Sequence, residues 1–193
     1  MASPSLLHIA THGFFLRNVE RAPSDSRALV HVAASGSLVD DDSAATFANP
    51  LLRSGLAFAR ANQSTGAGAD GILTALEATG LDLSGTELVV LSACDTGVGD
   101  VRNGDGVYGL RRALVLAGAE SQVLTLWPVD DLATRDLMVR YYKQLLKGRG
   151  RAEALRKVQT KMLEDWKYSH PYYWAGFIQS GAWGPLREVS GQD

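Results

Sequence analysis

Apolar positions along the chain fall into two kinds of run. Leu6 to Thr11, Ala28 to Ala33, Glu87 to Ala93, Gln122 to Trp127 and Trp174 to Gln179 read as strands. The first, third and fourth are nearly continuous in apolar residues. That is the pattern of strands buried on both faces of a parallel sheet. Between them the spacing turns helical. Asp70 to Thr79 has Asp70 as an N-cap and Ile72, Leu73 and Leu76 on one face. Gly106 to Ala117 keeps Val107, Leu110, Leu114 and Ala117 in register, with Gly118 as a stop. Leu132 to Lys147 lines up Leu137, Met138, Tyr141, Tyr142 and Leu145, capped by Asp131 and ended by Gly148. Arg151 to Leu163 repeats the pattern with Leu155, Val158 and Met162. Strands alternating with helices predict right-handed crossovers and a three-layer α/β/α sandwich with a mostly parallel sheet.

The intervening segments are polar. Arg17 to Asn49, with Asp40, Asp41 and Asp42 in a row, reads as loops and a short hairpin, the acidic run being a solvated loop. Asn62 to Ala69 is a second loose stretch, and the tail beyond Trp183 reads as frayed. The 193 residues suit one domain with its own core, spanning 1–193. Hydrophobic residues make up 46% and charged residues 21%, as in ordinary globular proteins. A net charge of -2 with scattered Lys and Arg gives no footprint for nucleic acid. No apolar run approaches the ~20 residues of a membrane helix, and the N-terminus has no signal-peptide pattern. The one cysteine cannot make an internal disulfide. It fits a reducing, cytoplasmic setting and leaves a thiol free for chemistry.

That thiol sits in a suggestive place. Leu6 to Gly13 is an apolar run delivering His12, and Leu88 to Gly97 is another delivering Cys94. Ligands of open α/β sheets bind beyond the carboxyl ends of the strands. On neighbouring strands, His12 and Cys94 would therefore meet at one edge. Imidazole can take the thiol proton and later protonate a leaving amine. Gly13 admits close backbone approach, and its N–H with that of Cys94 makes a candidate oxyanion hole. Gly97 allows a sharp turn after the nucleophile. Taken singly, a strand-end cysteine is usually a small buried hydrophobe. The joint arrangement with His12 favours chemistry.

The remaining candidates have plainer readings. His8 points to the same face as His12 in an extended strand, and reads as a buried, hydrogen-bonded core histidine. His31 could line the same edge but is assigned no chemistry, and His170, beside Pro171, is structural. Asp95 points away from the cysteine or caps a turn, so a backbone carbonyl is left to orient the imidazole.

These segments resemble the CHAT domain family of caspase-like cysteine peptidases, a group related to caspases, gingipains and separase. The resemblance runs through His8-Ile9-Ala10-Thr11-His12-Gly13, Asn49 to Leu56, Asp70 to Ala75, Leu91 to Gly97, Gly104 to Leu110, Leu126 to Asp131 and His170 to Phe177, in the family's order. It implies a caspase-like fold, His12 as general base and Cys94 as nucleophile. It also implies peptide-bond hydrolysis through a thioester, with no metal or organic cofactor. It implies that the domain follows helical repeats that sense a partner, so an activating partner or repeat domain is expected. The family's first strand would precede Ser5.

Substrate preference is less determined. Trp127 to Asp131 also opens at the carboxyl edge. Asp130 or Asp131 could receive a basic side chain of a protein or peptide substrate. For Asp131 the alternative is helix capping, accepting the N–H of Thr134. Trp127 is either an apolar wall of a cleft or a core residue. Two rival functions stay open: a latent or non-cleaving module that binds a peptide or partner, and a thiol hydrolase acting on a small ester or amide.

Overall fold

The strands in chain order are β1 (Leu6–Ile9), β2 (His12–Phe15), β3 (Val30–His31), β4 (Leu38–Val39), β5 (Ser54–Ala57), β6 (Ile72–Thr74), β7 (Leu88–Leu91), β8 (Ser121–Thr125) and β9 (Phe177–Gly181). The helices are α1 (Ala75–Ala78), α2 (Asp105–Leu116), α3 (Asp131–Leu145) and α4 (Arg151–Glu164). The structure is a computed structural model that describes residues 4–15, 30–31, 38–39, 50–52, 54–59, 61, 71–92 and 105–187.

The apolar run of β7 explains the architecture. All four of its residues are buried, and successive side chains point to opposite faces. Leu88 and Val90 enter one core, with Val123 and Phe177 of the sheet and Leu137, Met138, Tyr141, Leu155, Val158 and Met162 of α3 and α4. Val89 and Leu91 enter the other, with Leu124 of the sheet, Leu110, Ala113 and Leu114 of α2 and Ala75 and Ala78 of α1. A strand serving two cores cannot alternate with polar residues. The result is three layers, α/β/α, of caspase-like form.

The central sheet runs β1-β7-β8-β9. β1 is parallel to β7, with Leu6 opposite Leu88 and Ile9 opposite Leu91. β8 is parallel to β7 on its other side, and β9 closes the sheet antiparallel to β8. A smaller antiparallel sheet, β2-β5-β6, adjoins it through Leu56, which is buried in the second core. β3 and β4 form the short hairpin expected within the polar excursion, with Val30 opposite Val39.

Several expectations need correction. The first strand stops at Ile9, not Thr11. Thr11 donates its hydroxyl hydrogen bond to the Ala57 carbonyl, and His12 opens a strand of the other sheet. His8 and His12 therefore do not share a strand face. The expected Asp70–Thr79 helix is instead β6 followed by the single turn α1. Ile72 and Leu73 are taken by pairing with Ala57 and Leu56, an override of helical spacing by sheet formation. Thr74 is the true cap, in a reciprocal box with Glu77. Helix α3 is capped by Asp130, whose Oδ1 accepts the Ala133 N–H at 2.8 Å. Asp131 is already helical, and the Thr134 N–H expected on its side chain goes to the Asp130 carbonyl at 2.8 Å. The last strand is displaced to Phe177–Gly181 because Pro171–Tyr173 forms a 3-10 turn. Of the tail expected to fray beyond Trp183, residues 184–187 are anchored, and 188–193 lie outside the described residues. Gly184 accepts from the Arg151 guanidinium at 2.9 Å, and the Arg187 N–H donates to Glu87 at 2.6 Å.

Candidate active site

The carboxyl ends of β1 and β7 lie side by side. Ile9 faces Leu91, and the Ser92 N–H donates to the Ile9 carbonyl at 3.1 Å. His12 is the third residue beyond Ile9, and Cys94 is the third beyond Leu91. His12 stands exposed at the head of β2, opposite Ala57. Gly13 follows, buried, opposite Leu56. The strand then packs Phe14 across Gly55, where an added Cβ would come 2.7 Å from the Phe14 ring and 2.5 Å from the Leu73 carbonyl oxygen. A side chain at Gly55 would thus push β2, and His12 with it, out of place. Cys94, Asp95 and Gly97 lie outside the described residues.

The third parallel strand, β8, ends at the same edge. Trp127 beyond it is half-buried, and its Nε1–H donates to the Tyr172 carbonyl at 3.1 Å. Its indole lies against Gly176, where a Cβ would come within 2.9 Å of the ring. The Leu126 N–H donates to the Gly176 carbonyl at 3.0 Å. Trp127 is therefore clamped between the exit of β8 and the 3-10 turn. In that turn His170 Nδ1 accepts the Tyr172 N–H at 3.1 Å. Asp130 is engaged at the head of α3, whereas Asp131 is exposed in its first turn.

Sequence reasoning missed a set of three polar side chains at this edge. His8 Nε2 lies 3.1 Å from Ser92 Oγ, and His8 Nδ1 lies 2.8 Å from the Tyr142 hydroxyl. The His8 and Tyr142 rings meet at 5.8 Å and 50°. Strand parity is the signal that finds this. Leu6 packs on the α3 and α4 core while Leu7 and Ile9 pack on the other, so His8 faces α3. Desolvation holds the His8 imidazole below its ordinary pKa of 6.5 although the residue keeps an exposed surface. Burial also pushes the Tyr142 phenol up to about 12.

Among the described residues, no group of three or more His, Cys, Asp or Glu side chains is placed to hold a metal ion. No helix among them is long and apolar enough to cross a membrane.

Comparison with known proteins places these features in context. The family profile of the CHAT domain matches residues 1–182. Tetratricopeptide repeat protein 28 of Mus musculus is 35% identical over 111 residues, which cover 58% of this chain and 4% of the mouse protein. Its namesake in Homo sapiens is 34% identical over 111 residues, again 58% of this chain and 4% of the relative. The chain therefore matches only a small part of the length of these curated relatives.

Proposed function

Because this chain belongs to the CHAT domain family, we propose that it is a cysteine endopeptidase that cuts peptide bonds with a His12–Cys94 dyad. The observation that carries this reading is the paired ending of β1 and β7. His12 and Cys94 are each tethered three residues beyond positions that face each other in the sheet. Three residues reach at most about 11 Å, so the chain allows His12 and Cys94 to meet at the sheet edge.

In this mechanism His12 takes the thiol proton and the Cys94 thiolate attacks the scissile carbonyl carbon. The N–H groups of Gly13 and Cys94 hold the resulting oxyanion. Collapse of the tetrahedral intermediate breaks the C–N bond, and His12 returns its proton to the departing amine. Water, deprotonated by His12, then attacks the thioester and releases the carboxylic acid and the thiolate. No metal or organic cofactor takes part. Trp127 forms an apolar wall of the cleft. Asp131, rather than the capping Asp130, is the better placed carboxylate to receive a basic substrate side chain.

A reducing, cytoplasmic setting suits a free catalytic thiol. The relatives are named for tetratricopeptide repeats and match this chain over 4% of their length. That supports a domain that acts beside a repeat-containing sensor. The same names supply the second reading, a latent or non-cleaving module that binds a peptide in this cleft, since they speak of repeats and not of cleavage.

The test is digestion of a diverse peptide library by the wild-type chain, Cys94→Ala and His12→Ala. Cleavage by the wild type alone, with at least a hundredfold loss in each variant, is the expected outcome. Undiminished cleavage by Cys94→Ala rejects the dyad, and binding of peptides without cleavage by any of the three favours the module.

A further inference from the structure

We propose that Tyr142, His8 and Ser92 form a hydrogen-bonded positioning chain that fixes the exit of β7, two residues before Cys94, and so governs the reactivity of that thiol. This inference rests on the dyad reading above. The three residues come from three separate elements. Tyr142 stands on α3, His8 on β1, and Ser92 at the exit of β7.

Ser92 is held twice. Its N–H donates to the Ile9 carbonyl at 3.1 Å, and its Oγ lies 3.1 Å from His8 Nε2. His8 is held in turn by the Tyr142 hydroxyl at 2.8 Å on Nδ1. Both nitrogens of an exposed imidazole are thus engaged by protein hydroxyls. The phenol stays neutral across the working range, so the pair is a hydrogen bond and not an ion pair. A salt-screened contact would hold Ser92 less firmly.

The location gives the chain its purpose. Cys94 is two residues beyond Ser92, and two residues reach at most about 7 Å. Pinning both the backbone and the side chain of Ser92 fixes the anchor from which the chain runs to Cys94. A catalytic group displaced by about 1 Å can lose a hundredfold in rate. Ser92, His8 and Tyr142 touch neither the substrate nor the reacting atoms in this scheme. They are positioning residues.

The chain has a single cysteine, so its thiol can be followed without knowing a substrate. The experiment is the pH dependence of Cys94 alkylation by iodoacetamide in the wild type, Ser92→Ala, Tyr142→Phe and Ser92→Thr, each checked for native circular dichroism. A thiol paired with His12 inflects below the ordinary value of about 8.5. Ser92→Ala and Tyr142→Phe are expected to move the inflection back toward that value. Ser92→Thr, which keeps the hydroxyl, is expected to preserve it. In peptide cleavage the first two variants should lose 10- to 100-fold in kcat with little change in KM. A lowered inflection that is the same in all four proteins overturns the positioning role and leaves the dyad standing. An ordinary inflection in the wild type rejects the dyad, and the positioning role falls with it.

Discussion

At the scale of single residues, the two adjacent carboxylates at the head of α3 have separable jobs. Asp130 Oδ1 accepts the Ala133 N–H at 2.8 Å and satisfies one of the orphan donors of the first turn. Asp131 is one residue inside the helix and exposed. It interacts with the helix dipole but makes no cap. Asp130→Ala should therefore cost about 1 kcal/mol, read as a lower urea midpoint, without altering cleavage preference. Asp131→Ala should cost only about 0.3–0.5 kcal/mol, and in the proposed enzyme it should weaken selection for a basic side chain beside the cut. A preference for basic residues that survives Asp131→Ala removes Asp131 from the substrate cleft. Trp127 is fixed by a different constraint. Its indole occupies the space that a side chain at residue 176 would need, so the placement of Trp127 depends on a glycine.

At the scale of elements, what the sequence reveals follows from how local the cause is. β7 and β8 were legible because a strand buried between two helical layers must be apolar at successive positions. α3 and α4 were legible because each presents a long stripe to one core. β5 and β6 were not. Each is three or four residues long, and their pairing is set by contacts such as Leu56 with Leu73 that helical spacing cannot reveal. The site was legible only as far as its tethers. The apolar runs that end at Ile9 and Leu91, three residues before His12 and Cys94, could be read along the chain, whereas His8, Ser92 and Tyr142 meet across 84 and 134 positions. Arg151 was likewise hidden, since an arginine at a helix start reads as surface. Yet it is buried, and joins α4 to β7, β8 and the tail. It donates to the Glu87 carbonyl at 2.5 Å, to Ser121 Oγ at 3.0 Å and to the Gly184 carbonyl at 2.9 Å. Removing it leaves acceptors of several elements short of a charged donor. Arg151→Leu is expected to lower unfolding stability by about 2–3 kcal/mol in a urea titration. This network lies at the amino ends of β7 and β8, opposite the candidate site, so in the proposed enzyme kcat of the folded variant should be nearly unchanged.

At the scale of the whole molecule, protonation of His8 links stability to pH. Desolvation lowers its folded pKa below the ordinary 6.5 of the unfolded chain. Between those two values the unfolded state binds more protons than the folded state, so stability rises with pH across that interval. Above about 6.5 the imidazole is neutral in both states and contributes no slope. As pH falls below 6.5 the unfolded state gains first, and the loss is complete once the folded imidazole is itself protonated. Asp136 acts in a separate window. A hydrogen bond from the Tyr168 hydroxyl, aided by Arg135, holds its carboxyl below the ordinary 3.8. Its stabilisation is therefore present above 3.8 and lost as pH falls through the lower folded value. Both groups weaken the fold in acid, but His8 acts between neutrality and mild acid, before Asp136 begins. Melting temperatures measured from pH 4.5 to 8 should decline below pH 6.5 in the wild type. His8→Gln should flatten that decline, and Asp136→Asn should leave it in place. An undiminished decline in His8→Gln would assign the proton uptake to another group and separate the packing of His8 from the acid response of the fold.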